Sequence, residues 1–170
     1  MSSNTWTMLH YWIKMLYITF KCTIHMPQVT LKKFGYPESL IKSYQYWDLL
    51  LRPMQPTIGS MVLICREDVH QYSAISKSAA AEQALIISDV ERLLKKRFDY
   101  SKMNYLMLMM VDPAVHFHII PRYESSVDFA GRILIDNQWP NPPSLIDELN
   151  LDICDKQNLL NILKSDFNSN

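Results

Sequence analysis

The pattern of apolar and polar positions is most informative over residues 103–123, MNYLMLMMVDPAVHFHIIPRY. Residues 103–111 and 114–120 are dominated by Met, Leu, Val, Ile, Tyr and Phe and predict two strands, with Asp112-Pro113 as the turn between them. The unbroken apolar run 105–111 predicts a strand covered on both faces, its methionines serving as adaptable core. Side chains alternate along a strand, so Ala114, His116 and His118 share one face, and Val115, Phe117 and Ile119 the other. Pro121 lacks an N–H and is expected to end the strand.

Upstream, residues 47–52 and 60–65 read as two further strands, with Pro53 and Pro56 marking the turn. Leu40, Ile41, Tyr44 and Trp47 fit either a helix or an extended lead-in. Residues 78–98 are the clearest helix: Ser78 as N-cap, an apolar face of Ala81, Leu85, Ile86, Val90, Leu93, Leu94 and Phe98, and Lys95, Lys96 and Arg97 complementing the dipole at its end. Residues 129–131 and 139–143 look like an extended arm. Asp155 then caps a C-terminal helix with Leu159, Leu160, Leu163 and Phe167 on one face. Residues 1–25 form an extension of unknown role. Its run from Trp6 to Phe20 is too short and interrupted for a membrane span, lacks signal-peptide features, and leaves Met26 as a candidate start of the functional unit.

The chain has 170 residues, enough for one domain with a sizeable core. Its 17 basic and 17 acidic residues cancel, which argues against a nucleic-acid surface. Three scattered cysteines suggest reduced thiols and a cytoplasmic setting. With only three glycines, Gly59 before a strand stands out as a position needing positive φ.

The candidate chemistry lies in His116 and His118. Two imidazoles on one strand face suit a nucleophile beside a group that contacts the leaving group, or two ligands of one metal ion. Cys22, Cys65, Cys154, His10, His25 and His70 show no ligand spacing among themselves, and His70 reads as a solvated loop residue.

Residues 114–122, AVHFHIIPR, resemble the signature of the histidine-triad (HIT) superfamily of nucleotide hydrolases and transferases: His-φ-His-φ-His-φ-φ, then Pro-Arg. The match holds at every position but the first histidine, which is Ala114. Residues 55–64, QPTIGSMVLI, are similar to the family's strand-turn-strand, with Ser60 where His often follows the Gly. LLLR at 49–52, Gly59-Ser60, Asn104-Tyr105-Leu106 and Val111-Asp112-Pro113 are similar to a bacterial-type branch described as diadenosine-tetraphosphate-hydrolase-like. The likeness spans residues 36–143. Two further departures stand out: the Gly-rich connection with Gln or Ser before the triad strand is absent, and Arg52 replaces an Asn or Asp that holds ribose hydroxyls, favouring phosphate over a diol.

The resemblance implies an α+β fold: an antiparallel sheet of about five strands, one main helix packed on it and a C-terminal helix, all within residues 26–170. It implies a homodimer that acts on an adenine nucleotide or dinucleoside polyphosphate without cofactor or metal. His116 would attack the α-phosphorus and His118 assist, with Asn104, Arg52 and Ser60 contacting substrate. The Ala114 carbonyl would still orient His116. The alternatives are a phosphoramidase or nucleotidyl transferase, a nucleotide-binding module with little turnover, and a metal-binding His pair.

Overall fold

The computed structural model describes residues 26–169; the 1–25 extension, with His10, Cys22 and His25, lies outside the described residues. Helix α1 (Met26–Lys33) leads into β1 (Leu40–Ser43), β2 (Trp47–Leu51) and β3 (Met61–Cys65). Helix α2 (Lys77–Phe98), β4 (Lys102–Leu106) and β5 (His116–Arg122) follow, then the hairpin β6 (Val127–Phe129) and β7 (Arg132–Leu134), and α3 (Ile153–Asn168). The five-stranded sheet has the order β1-β2-β3-β5-β4, antiparallel throughout, so the α+β expectation holds. Residues 40–43 are extended, which settles the open choice there.

One face of the sheet is the main core. Trp47, Leu49 and Leu51 of β2, Met61 and Leu63 of β3 and Ile119 of β5 meet Ile86, Val90, Leu94 and Phe98 of α2 and Leu159, Leu160, Leu163 and Phe167 of α3. The Trp47 indole N–H donates to Ala79 O at 2.8 Å, tying α2 to the sheet. Gly59 has φ +81°, and a Cβ there would lie 3.3 Å from Leu94 Cδ2 and Phe98 Cε2; the turn before β3 therefore needs a glycine both for its backbone and for α2's close approach.

Several details differ from the sequence reading. The N-cap of α2 is Ser76, whose hydroxyl accepts from Ala79 N at 3.0 Å, not Ser78. The buried stripe is Ala79, Gln83, Ile86, Val90, Leu93, Leu94 and Phe98, so Leu85, 70% exposed, and Ala81 fall outside it. The cap of α3 is Asp152; Asp155 is its N3 partner in a capping box. Residues 129–131 belong to a β-hairpin rather than an arm, turning through Ala130 (φ 54°) and Gly131 (φ 74°), with Phe129 buried against Phe98.

The largest correction is at 103–111. Strand β4 ends at Leu106, and Met107, Leu108, Met110 and Val111 are 40–93% exposed. A hairpin zipped up to Asp112-Pro113 would set Leu108 opposite His116; instead β4 leaves the ladder at the Leu106–His118 pair. Pro121 does not end β5 either. It pairs with Met103 beyond the last β3 partner, where no third strand asks for its missing N–H, while its carbonyl accepts from Thr57 Oγ1 at 2.6 Å.

Candidate active site

The other sheet face carries the histidines. Register fixes three rows across it: Asp48–Ile64–His116, Leu50–Val62–His118–Leu106, and a row in which Arg52 N bonds Ser60 O and Asn104 pairs with Ile120. The alternation read from the sequence holds. Ala114 packs with Leu31, Phe34, Leu50, Val62 and Ile64 on the histidine side, while Val115, Phe117 and Ile119 join the main core. Helix α1 roofs this face. Its stripe of Pro27, Thr30, Leu31 and Phe34 is buried at helical spacing, and the Phe34 ring lies 5.8 Å from His116 and 5.5 Å from His118, centroid to centroid.

The His116 and His118 rings stand edge to face, 5.2 Å apart. His116 is fully buried, and its Nδ1 lies 2.7 Å from Ala114 O. A carbonyl only accepts, so Nδ1 carries the proton and Nε2 holds an in-plane lone pair. That Nε2 has no hydrogen-bond partner, and neither do His118 Nδ1 or Arg52 Nε, although all are buried. Burial, then the neighbouring charges of His116 and Arg52, push the His118 pKa down to about 4, so its imidazole is neutral near pH 7. Unpaired buried polar atoms cost stability. Three of them are gathered on this one sheet face.

The structure brings Arg52 and Asn104 to the face but leaves Ser60 in a structural role. The buried Arg52 guanidinium donates to Met54 O and, at 2.7 Å, to Leu145 O, bolting the segment after β7 onto the 52–60 turn. Ser60's hydroxyl donates to Thr57 O at 2.7 Å and its backbone is held by Gln55, so its polar groups serve the turn. Asn104 Oδ1 accepts from Arg122 Nη1 at 3.1 Å. His70 is exposed, with Nδ1 3.3 Å from Pro113 O. No group of three or more His, Cys, Asp or Glu among the described residues is arranged to hold a metal.

Sequence reasoning missed the α1 contribution. Lys33 pairs with Asp112 at 2.7 Å, closing the 107–115 loop against the roof, and both charges act on His118. The only signal was Asp112 itself, which reads as a turn former. A cavity of about 480 Å³ beside α1 is lined by Leu31, Lys32, Tyr36, Asp48 and Arg66 among others, and by neither histidine.

No family model matches the sequence, and no curated protein matches it. Solved structures do. A histidine-triad protein from Bradyrhizobium japonicum aligns over 81% of this chain and 93% of its own, at 22% identity and a TM-score of 0.62. The chain has the histidine-triad fold. A histidine-triad protein from Sinorhizobium meliloti aligns over the same shares at 16% identity and TM-score 0.63. The Plasmodium falciparum diadenosine triphosphate hydrolase, solved with cyclomarin A, covers 85% of this chain and 97% of its own at 13% identity and TM-score 0.56. On this fold the His116–His118 strand is β5, between β3 and the edge strand β4.

Proposed function

We propose that this histidine-triad fold works as a nucleotide hydrolase, cleaving a phosphoanhydride of a dinucleoside polyphosphate or nucleotide conjugate through a nucleotidyl-histidine intermediate. The observation that carries this reading is the 2.7 Å contact between His116 Nδ1 and Ala114 O together with an Nε2 that has no partner: with the proton on Nδ1, the Nε2 lone pair is free to attack. Nε2 bonds to the α-phosphorus as the P–O bond to the leaving phosphate breaks, with the electron pair going to the leaving oxygen. Water then attacks the same phosphorus, the P–N bond breaks and His116 recovers its lone pair, while the water proton passes to solvent. Splitting the reaction into two displacements lowers each barrier. His118, neutral near pH 7, contacts the phosphate oxygens as an N–H donor, and Arg52 Nε supplies a buried positive donor beside it. Ser60 acts behind them by holding the turn. No step calls for a metal. A homodimer in the cytoplasm belongs to the same reading; no described helix is long and apolar enough to cross a membrane.

A second reading is supported by two observations: Ala114 at the first triad position and the fully enclosed His116 under Phe34. It is a module that binds adenine nucleotides and turns over little. One experiment separates the two. The protein is mixed with diadenosine tetraphosphate labelled in the adenine, and both products and protein mass are followed. Turnover with a transient adduct one AMP heavier, lost in His116→Ala, is the result expected. Binding with neither product nor adduct leaves the binding module.

A further inference from the structure

Asn104 is the expected substrate contact whose orientation is fixed from outside its own strand. Asp136, just past β7, and Arg122, at the end of β5, form an ion pair with side chains only 2% and 4% exposed. Arg122 Nε donates to Asp136 Oδ2 at 2.6 Å and Nη2 to Oδ1 at 3.2 Å. The same carboxylate accepts from the backbone N–H of Tyr123 at 3.3 Å and of Gln138 at 3.2 Å, so it is held from four sides. Such a pair is weak ground for stability, because desolvating both charges offsets much of their attraction. What it does achieve is to aim the remaining arm of the guanidinium, whose Nη1 donates to Asn104 Oδ1 at 3.1 Å.

A guanidinium has no acceptor, so the Asn104 carbonyl must face Arg122 and its amide nitrogen must face away. One N–H of Nδ2 makes a long bond of 3.3 Å to Met103 O; the second has no partner among the described residues. Asn104 pairs with Ile120 on the histidine face, two pairs along the ladder from Leu106–His118 and so the next pair on that face. It is half-buried at the open edge of the sheet. A donor that cannot turn round, next to His118, suits a phosphate oxygen and gives up little freedom on binding.

We propose that Asp136 is a positioning residue: through Arg122 it locks the Asn104 amide with one N–H presented to a phosphate oxygen of the substrate. The inference rests on the nucleotide hydrolase reading above and adds to it the residue that prepares its polar edge.

The test is a double-mutant cycle in KM for diadenosine tetraphosphate, using Asp136→Asn and Asn104→Ala. Asp136→Asn is expected to raise KM about tenfold with kcat within about twofold, the mark of lost binding shared by ground and transition states. In the Asn104→Ala background it is expected to add nothing, because the group it acts through is gone. Asn104→Asp keeps the acceptor for Arg122 and removes the donor, so it is expected to raise KM as much as Asn104→Ala with the melting temperature retained. If Asp136→Asn does not fold, Arg122→Lys replaces it, keeping the ion pair while losing the arm to Asn104. Equal KM increases in both backgrounds, or an Asn104→Asp protein with wild-type KM, would overturn the proposal while leaving the hydrolase reading intact. If the wild type binds AMP without turnover, the cycle is read in Kd by calorimetry. A wild type that neither binds AMP nor cleaves the substrate overturns both.

Discussion

The two faces of the sheet are made by the same five strands and treat polar groups in opposite ways. Toward α2 and α3, Trp47, Leu49, Leu51, Met61, Leu63 and Ile119 are buried side by side, and the Trp47 N–H is bonded to Ala79 O. Toward α1 the same strands present Asp48, Arg52, His116, His118, Asn104 and Arg122, and three of these hold a buried polar atom without a partner. The packing side keeps one such atom, the Tyr44 hydroxyl, against three on the histidine face, each costing about 1–3 kcal/mol when left unmade. The first face is closed by packing, and the second leaves His116 Nε2, His118 Nδ1 and Arg52 Nε unpaired.

The largest expected effect tests that division directly. On the proposed mechanism His116→Ala removes the attacking lone pair, so turnover of diadenosine tetraphosphate should fall on the order of 10³-fold or more. Truncating a fully buried imidazole also leaves a cavity and an unpaired Ala114 carbonyl, so some stability is lost and turnover is compared per folded molecule. A variant that loses activity only in proportion to its folded fraction would place His116 among the packing residues and dissolve the contrast.

Leu94→Ala is the converse. Leu94 is fully buried between the sheet and the 59 turn, so truncation should cost about 2–5 kcal/mol in urea denaturation. Per folded molecule, KM and kcat should be unchanged. A shift in KM would mean that the two faces communicate through β3 and β5.

Ala114→His sharpens the boundary between the faces. Restoring an imidazole at the first triad position places it among Leu31, Phe34, Leu50, Val62 and Ile64, where Ala114 is 1% exposed. Overpacking there should cost about 1–3 kcal/mol without raising turnover, since the Ala114 carbonyl already holds His116. A gain in kcat at unchanged stability would show that the histidine face has room to spare.

How much of this could be read beforehand follows from the same contrast. Periodicity announced α2 and the alternation of β5, because burial on one side of a helix or strand leaves a regular imprint. The His pair was legible because polar residues interrupt an apolar strand. The run 105–111 misled for the opposite reason: composition records propensity, but whether a strand continues depends on keeping its partner, and β4 leaves β5 after the Leu106–His118 pair while β5 runs on along β3 to His116. The role of α1 was invisible because Lys33 meets Asp112 across 79 residues of sequence, and Phe34 meets the two histidines from a similar distance along the chain. Asp136 was hidden in the same way, since a lone carboxylate in a polar stretch carries no mark of the arginine it will hold.

The smallest effect expected is a slope, and it separates the faces by proton affinity. Burial, with the charges of His116 and Arg52, lowers the His118 pKa to about 4, against about 6.5 in the unfolded chain. Between those values the unfolded chain holds a proton that the folded protein does not, so acid pulls the equilibrium toward unfolding. The contribution of neutral His118 is therefore fully present above about pH 6.5 and is lost as pH falls toward 4. Carboxylates add their own losses toward the bottom of this range, so the level of stability alone does not isolate the histidine. The difference in slope does. His118→Gln should unfold with a flatter dependence on pH between about 6.5 and 4 than the wild type, measured by urea midpoint at closely spaced pH values. Parallel curves would mean that His118 is protonated as readily in the fold as outside it. That would require a solvated imidazole and contradict the closed roof of Phe34 over the histidine face.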